Sequence, residues 1–578
     1  MSRLRVGVIA LAAVASGALM LANGPAGALG SGNTDGANST GSAARSAASP
    51  AQCAQTPGLA VSKKTPPILA SHHDLAGMAG MERMPGMAGM PAMKDSTPHH
   101  AMQELKDKLA HTPSGGTLTV QPGTYRGDLV ITRPVKLVGV GHPTLQGDGN
   151  GTVLTIRAAG TTVRDFMVEG SGPGPVDNPA GISVEADRVA VSGLHIRDTF
   201  TGIWVEGARD ARLTDNFIEG RKQVAVSGET PATGGGDMAG MVMSSGHPGN
   251  GAAQAGRGDG VSLFNAIRPV VSGNELTNVR DGIYLSYGSG TRIECNSVTG
   301  SRYAIHGMYG RSVTVARNHF DTNQAGPVMM YGGPVTLESN VIRDQQSSAT
   351  GFGVLLLDVG GARLLRNVLV SNRVGLQIEG PSGDPRPTVV ELNTIALNQM
   401  GIGLYPTAKA ALSQNSLVEN TVQVLGLGPD GGGGESRWSS GGVGNYWSDY
   451  RGFDRSGKGV GDVPHVEGAA AGKLLAGDPT LLALASSPAF TLLRAVEQRS
   501  AGRHPVVVDR LPLVYPRSPS LPATATHAAL GTGLVGAASL ALCSVVLIRS
   551  MRRGSLRRGS LRRRSLRLGR LPEGRKSP

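Results

Sequence analysis

The sequence is poor in cysteine and in aromatic residues, and each shortage excludes a class of protein. Three cysteines among 578 residues, at positions 53, 295 and 543, are too scattered to form the disulfide framework of a small secreted domain. We expect Cys53 to be a free thiol. Aromatic residues make up only 4% of the chain, so a large core must be filled by Ile, Val and Leu.

Net charge is also low between the two ends of the chain. Residues 549–578 hold 12 Lys or Arg and one acidic residue, and Arg3 and Arg5 lie at the start, so these segments account for the whole formal charge of +13. The stretch between them is close to neutral. Because nucleic-acid binding needs a basic face, we expect no nucleic-acid partner.

The start of the chain is typical of an exported protein. Arg3 and Arg5 precede an apolar run at 6–22, and the small residues Ala26-Gly27-Ala28 match a signal peptidase site. We therefore predict a signal peptide at 1–28. Residues 29–95 are rich in Gly, Ala, Ser and Pro, and this composition predicts a disordered linker that also contains Met and His.

The end of the chain predicts a membrane anchor. Residues 528–548 carry no charge, and 21 residues are enough for a helix to cross a hydrocarbon core of ~30 Å. We place the transmembrane helix at 523–548. The basic tail at 549–578 should stay in the cytoplasm, so the rest of the mature chain lies outside the cytoplasmic membrane, anchored by this helix.

Asparagine recurs at a nearly fixed spacing through the body of the chain. Each asparagine precedes an apolar residue by one or two places, and the first three spacings are 22 residues: the series is Asn274, Asn296, Asn318, Asn340, Asn367, Asn393 and Asn415. A second series runs in phase, with GVSL at 260, GIYL at 282, AIHG at 304 and GPVM at 326. Repeats this short leave no room for crossover helices.

These repeats predict an all-β fold, a right-handed parallel β-helix over 96–425 with an insertion loop at 230–256. Each coil contains short strands, and the asparagines should form a hydrogen-bonded ladder along one corner. A short helix after Pro98, with Met102, Leu105 and Leu109 on one face, should cover the first coil. We expect 426–522 to cap the far end, with two helices between 473 and 499.

Several motifs in the same region resemble the NosD family. They are GTYRGDLVITRPVKLVG near the first coil, RDGIYLSY and YAIHGMYG in the middle coils, and GNYWSDYRGFDRSGKGVGDVPH after the last coil. The resemblance covers about 102–517. It implies a copper-handling β-helix outside the membrane, without catalysis of its own, that serves metal-site maturation of nitrous oxide reductase with a membrane ABC transporter and a copper enzyme or copper chaperone. The Met/His-rich tract and the anchor depart from the family pattern.

Two methionine-rich tracts are candidate copper ligands. Ten of the 18 methionines lie in or beside them, counting Met102, although neither tract has a core to fill. Thioether sulfur prefers Cu(I), and imidazole suits either oxidation state. The predicted ligands are His72, His73, Met78, Met81, Met84, Met87, Met90, Met93, His99 and His100 in the first tract, and Met238, Met241, Met243 and His247 in the second. The alternative interpretation is a low-complexity linker that binds nothing.

The phase of the repeats also predicts a surface group on the β-helix. With Ile283 and Leu285 inward, Tyr284 and Ser286 point outward, and the following coils present His306, Met308, Val328 and Met330 on the same face. A column of Tyr287, Tyr309 and Tyr331 should lie beside them. His306, Met308 and Met330 form a shallow soft-metal site for copper, a docking patch, or a packed external column.

Carboxylates raise two further alternatives. Asp259 and Asp281 are 22 residues apart, as in β-helix lyases, epimerases and hydrolases that act on polysaccharides, but each precedes a glycine in a turn, and we favour a structural role. Asp454, Ser456 and Asp462 resemble a calcium loop, yet Lys458 stands at a ligand position, so a metal-free turn is favoured over calcium. A purely structural surface protein is the third interpretation.

Overall fold

A computed structural model describes residues 99–174, 178–221, 256–345, 347, 350–381, 384, 386–427, 434–468 and 505–519, together with single positions between 474 and 496. The predicted signal peptide, most of the linker, the insertion loop and the segment 523–548 lie outside these residues. Within the part that is described, no helix is long and apolar enough to cross a membrane. The predicted span at 523–548 therefore stays a prediction.

The strands are short, and nearly all contain three to six residues. The first half comprises β1 (His99–Ala101), β2 (Thr117–Val120), β3 (Thr124–Arg126), β4 (Leu129–Ile131), β5 (Lys136–Gly139), β6 (Thr144–Gln146), β7 (Leu154–Ile156), β8 (Thr162–Arg164), β9 (Met167–Glu169), β10 (Ala180–Val184), β11 (Ala190–Ser192), β12 (His195–Arg197), β13 (Thr201–Glu206), β14 (Arg212–Thr214), β15 (Phe217–Glu219), β16 (Val261–Phe264), β17 (Val270–Ser272), β18 (Glu275–Thr277), β19 (Asp281–Ser286) and β20 (Arg292–Glu294).

The second half continues the same rhythm. It comprises β21 (Ser297–Thr299), β22 (Tyr303–Met308), β23 (Val313–Ala316), β24 (His319–Asp321), β25 (Ala325–Met330), β26 (Val335–Glu338), β27 (Val341–Arg343), β28 (Phe352–Leu357), β29 (Arg363–Leu365), β30 (Val368–Val370), β31 (Val374–Glu379), β32 (Thr388–Glu391), β33 (Thr394–Ala396), β34 (Met400–Leu404), β35 (Ala410–Ser413), β36 (Ser416–Val418), β37 (Val422–Gly426), β38 (Tyr446–Trp447), β39 (His465–Glu467) and β40 (Val507–Asp509). The helix α1 spans Met102–His111.

Every third strand belongs to the same sheet, as expected for a coil of three strands. Sheet 1 has 14 strands and runs from β1 to β38, sheet 2 has 12 strands from β2 to β35, and sheet 3 has 12 strands from β4 to β37. All pairings within these sheets are parallel, and Ile283 lies in register with Val261 on one side and Ile305 on the other. The predicted parallel β-helix is confirmed.

The core is a set of stacked apolar columns inside the coils. Ile283, Leu285 and Ile305 are fully buried, as their inward assignment predicts. Each apolar side chain rests on an equivalent one in the next coil, so the burial of one strand depends on its neighbours. This arrangement needs few aromatic residues, which agrees with the composition.

The asparagine ladder is present and continues beyond the predicted series. Asn274 Nδ2 donates to Asn296 Oδ1 at 2.9 Å, Asn296 repeats the bond to Asn318 at 3.0 Å, and the ladder ends at Asn445. The residue before each ladder asparagine from Asn274 to Asn415 has a positive φ, for example 58° at Cys295. A second ladder, which we did not predict, runs through Asn372, Asn398 and Asn420.

Cys295 is disulfide-bonded, although we predicted no disulfide framework; both other cysteines lie outside the described residues.

The first coil is covered by α1, as predicted. Met102 and Leu105 are buried against it and Leu109 packs beside them, while Lys108 and Glu104 form the expected ion pair at 2.7 Å. The helix begins at Met102, a little later than Pro98 suggested, because His99–Ala101 forms β1 and pairs with β3. Met102 is thus a packing residue of the cap.

The far end is closed by a different part of the capping segment from the one predicted. Trp438, Trp447 and Val507 join the main core and cover the last coil, and β39 pairs with β40 there. The described residues of 473–499 pack alongside the stack: Leu481, Phe490 and Leu493 contact a cluster that includes Val374, Met400, Val422 and Leu425.

Candidate metal site on the outer face of sheet 3

The predicted surface group is assembled on two neighbouring strands of sheet 3. His306 and Met308 lie on β22, and Met330 lies on β25 directly beside Met308 in the parallel register. All three side chains are half-buried. The structure therefore brings a histidine and two thioethers together on one face, as the 22-residue spacing predicted.

The face is less exposed than we predicted. Val328 and Ser286 are buried although both point away from the core. Val328 packs with Leu355 in an external apolar cluster, which Tyr303 and Met330 border. The metal candidates therefore lie at the edge of an apolar patch. Partial burial removes competing water from a thioether ligand, so it favours a soft cation over a hard one.

His306 is held in one orientation by a buried carboxylate. Its Nδ1 lies 3.0 Å from Asp281 Oδ2, and the rings of Tyr284 and Tyr303 contact it edge-on at 5.2 Å each. With Nδ1 engaged by the carboxylate, Nε2 is the nitrogen left for a ligand. Such a carboxylate–histidine pair is the usual arrangement behind a metal-binding imidazole.

Met308 is contacted from the preceding coil. The hydroxyl of Tyr284 donates to Met308 Sδ at 3.9 Å, a long and weak hydrogen bond. Because the sulfur has a second lone pair, this contact orients the thioether without blocking it.

Asp259 and Asp281 form two stacked ion pairs with arginines. Arg280 binds Asp259 with both ends of its guanidinium, at 2.9 and 3.0 Å, and Arg302 binds Asp281 in the same way at 2.8 and 2.6 Å. Both carboxylates are almost completely buried. The structural role that we favoured from the turn sequence therefore matches these contacts.

The two carboxyl groups titrate in opposite directions. Burial, with a smaller contribution from the neighbouring charge of Asp281, raises the pKa of Asp259 to about 6 even though Arg280 opposes the shift. Burial also acts to raise the pKa of Asp281, but hydrogen bonds from His306 and Arg302 outweigh it and hold the pKa well below its usual range. Asp281 thus stays ionised beside His306.

Sequence reasoning missed the arginines and the link from Asp281 to His306. The signal was present, since Arg280 and Arg302 recur at the same 22-residue spacing as the aspartates they bind. The spacing places Arg302 one coil beyond Asp281 and one residue out of register with it. The long arginine side chain can span this offset.

The tyrosine column is confirmed. The rings of Tyr287 and Tyr309 stack with centroids 4.9 Å apart, and those of Tyr309 and Tyr331 stack at 5.5 Å. All three residues have φ near 55°, a left-handed conformation that is rare for a bulky side chain. The stack stabilises this corner of the coils next to Met308 and Met330.

The remaining predicted copper ligands cannot be placed beside this group. His72, His73, Met78, Met81, Met84, Met87, Met90, Met93, Met238, Met241, Met243 and His247 lie outside the described residues. His99 and His100 belong to β1, at the opposite end of sheet 1 from the far cap. Those assignments stay predictions.

The loop that resembles a calcium site is held by its own backbone. Asp454 accepts hydrogen bonds from the amides of Lys458 and Gly459 at 3.1 and 2.7 Å. Asp462 accepts from the Phe453 amide and pairs with Arg455. These contacts engage both carboxylates within a glycine turn, the alternative that we favoured over calcium.

Comparison with known proteins agrees with the resemblance. Residues 241–452 match the family described as "Periplasmic copper-binding protein (NosD)". A "Probable ABC transporter binding protein NosD" of Pseudomonas aeruginosa is 32% identical over 428 residues, covering 70% of this chain and 90% of the relative. The chain belongs to the NosD family. A second NosD, of Stutzerimonas stutzeri, is 31% identical over 407 residues, covering 68% of this chain and 85% of the relative.

Solved structures that align with this one include two enzymes that act on glycans. The catalytic domain of a GH87 α-1,3-glucanase aligns over 62% of this chain and 71% of its own, with 15% identity and a TM-score of 0.43. The A-module of the mannuronan C-5 epimerase AlgE6 of Azotobacter vinelandii aligns over 56% of this chain and 90% of its own, with 16% identity and a TM-score of 0.39.

Proposed function

We propose that this NosD-family protein binds copper outside the cytoplasmic membrane and passes it to a copper enzyme such as nitrous oxide reductase, together with an ABC transporter. The family name and the names of the relatives support a periplasmic accessory role. The C-terminal segment 523–548 would anchor the protein beside its transporter, and the two Met/His tracts would collect the ion.

One observation carries the copper proposal: the group formed by His306, Met308 and Met330. It combines an imidazole oriented by Asp281 with two thioethers in register on adjacent strands. Two sulfurs and one nitrogen suit Cu(I) better than any hard cation. The site is shallow and lies on an open face, which fits an ion that must be handed over rather than kept.

The enzyme alternative has less support. Its candidate acid and base, Asp259 and Asp281, are buried, and each is bound by an arginine. A catalytic carboxyl group must reach a proton of its substrate within hydrogen-bonding distance, and these two face arginine instead. We therefore propose a binding protein without catalytic activity.

A competition titration with a Cu(I) chelator tests the coil-surface site. The purified full chain is compared with a Met308→Leu/Met330→Leu double variant, because Met-to-Leu changes preserve volume and cost little stability. The double variant should bind one fewer Cu(I) ion, or bind one ion at least tenfold more weakly.

Met167→Leu is the matched control for this titration. Met167 is a half-buried outward methionine on sheet 1 that lies in register with His195, so it offers the same donors without a second thioether. It should leave copper binding unchanged. Equal Cu(I) binding by wild type and double variant would remove the coil surface from the proposed function.

A further inference from the structure

A second cluster of potential ligands lies at the far end of the stack. Asp449, His465 and Glu467 offer one imidazole nitrogen and two carboxylates, and their donor atoms all lie within 4.8 Å of one another. His465 and Glu467 alternate with Val466 on β39, so they point to the same side of the strand. Asp449 follows β38, the last strand of sheet 1.

The imidazole in this cluster is buried without a hydrogen-bonding partner at one nitrogen. His465 is 4% exposed, and within the described part of the chain its Nε2 makes no hydrogen bond. Glu467 Oε1 lies 3.3 Å from Nε2, but the pair is not aligned as a hydrogen bond. Buried polar atoms are nearly always satisfied in native proteins, so this nitrogen needs an explanation.

A bound metal ion would explain why Nε2 of His465 has no hydrogen-bonding partner. Nitrogen and oxygen ligands bind zinc at ~2.0–2.2 Å in a tetrahedron, which separates neighbouring donor atoms by about 3.4 Å. The 3.3 Å between His465 Nε2 and Glu467 Oε1 is therefore the separation expected of two ligands of one ion. Asp449 is half-buried, and its carboxylate supplies the third donor of the group.

We propose that Asp449, His465 and Glu467 bind a divalent cation of the zinc class. One imidazole and two carboxylates are borderline and hard donors, so this site should discriminate against Cu(I), unlike the thioether group on sheet 3. The proposal is independent of the copper function, because no residue is shared between the two sites.

The position of the cluster indicates a structural role for the ion. Trp447 stacks on the His465 ring with centroids 4.2 Å apart, and its indole N–H donates to the buried Asp509 at 3.0 Å. A cation here would tie the turn after β38 to the β39–β40 pair, the elements that close the last coil. Binding to the folded state alone would stabilise this cap.

Cobalt quenching of Trp447 fluorescence tests the proposal on the full chain. Co²⁺ is a paramagnetic substitute for zinc, and at this site it would lie within a few ångströms of the indole that stacks on His465. Co²⁺ should quench part of the tryptophan emission of the wild type, and Zn²⁺ should reverse the quenching. His465→Gln and Asp449→Asn should each weaken this response at least about tenfold.

Two controls separate this site from other metal-binding parts of the chain. Trp447→Phe should leave only the weaker quenching of Trp438, whose ring centroid lies 5.5 Å from that of Trp447, while Zn²⁺ still raises the melting temperature, which assigns most of the signal to the Trp447 indole. His319→Gln should change nothing, because His319 also lies beside a carboxylate, Asp321 at 3.8 Å, but forms no group of three ligands with other described residues.

Equal quenching in wild type and His465→Gln would overturn the proposal, as would quenching that Trp447→Phe leaves undiminished. If His465→Gln does not fold, as judged by circular dichroism, Asp449→Asn decides the outcome, because its side chain is only half-buried and the amide keeps most of its hydrogen-bonding capacity.

Discussion

His306 and His465 both lie beside a carboxylate, and the rest of their surroundings differ. His306, on the open face of sheet 3, is oriented by Asp281 and has thioethers for neighbours. His465, inside the far cap, has a second carboxylate nearby and a stacked indole. In the two proposed sites the imidazole is the same, and its neighbours decide whether the site prefers a soft ion or a hard one.

The two regions also differ in how they are supported. The His306 region belongs to the regular coils, where every side chain has an equivalent one coil away. The His465 region is irregular, and its order depends on Trp438, Trp447 and Asp509. A change in the coil core should therefore disturb the first region more than the second, and four predictions follow this contrast from the largest expected effect downward.

The largest effect is expected from a charge placed inside the coils next to the outer-face site. Ile305→Asp would bury a carboxylate without a partner in a column formed by Ile283 and Pro327. The free energy of unfolding should fall by about 5 kcal/mol or more. Urea denaturation measures this free energy of unfolding. The control is Arg311→Ser, at an exposed position, which should stay within about 0.5 kcal/mol of wild type. Similar midpoints for the two variants would contradict the inward assignment of Ile305.

The next effect concerns the carboxylate that distinguishes His306 from His465. Asp281→Asn removes a fully buried charge that binds both Arg302 and His306, so we expect a loss of about 3–5 kcal/mol in the free energy of unfolding. Asp210→Asn is the control: Asp210 pairs with Arg268 at the surface, and exposed pairs contribute ~1 kcal/mol or less. If both variants lose the same amount, Asp281 is not the anchor of this face.

The regular coils could be predicted from the sequence, and the metal cluster in the far cap could not, for a physical reason. A repeat of 22 residues places each residue on its equivalent, so the positions of His306, Met308 and Met330 followed from counting. The orientation of His306 by Asp281 depends on side-chain conformation, which spacing alone does not specify. Asp449 and His465 belong to no repeat, and only the tertiary fold brings them together. The second ladder was missed because its early members are Asn323 and Gln345, a mixed pair without a constant residue.

A smaller effect is expected in the pH dependence of stability. Burial raises the pKa of Asp259 to about 6 in the folded protein, above the value near 4 of an exposed aspartate. A carboxyl group with a raised pKa binds its proton more tightly when folded, so its contribution is fully present below about pH 4 and is lost as the pH rises through 6. The wild type should lose up to about 3 kcal/mol over this interval.

Asp259→Asn tests this assignment because the amide does not titrate. Urea midpoints measured at pH 4 and pH 7 should differ less in this variant than in the wild type, while Asp210→Asn should keep the wild-type difference. If the Asp259→Asn variant keeps the pH dependence of the wild type, groups other than Asp259 cause the loss of stability between pH 4 and pH 7.

The smallest effect on stability, and the most direct test of soft-ion binding, concerns the first methionine tract. A deletion of residues 72–98 removes His72, His73 and the six methionines from Met78 to Met93 but keeps β1, which pairs with β3 in the first coil. The melting temperature should stay unchanged. Competition with a Cu(I) chelator should show at least one fewer bound copper ion at pH 7.5 and also at pH 5.5, because thioethers do not protonate in this range whereas imidazole ligands do.

Substituting the six methionines by leucine within the tract is the matched control for its length, and it should lower the copper stoichiometry as the deletion does. A deletion that binds as many ions as the wild type would make the tract a spacer and leave copper binding to the face that holds His306.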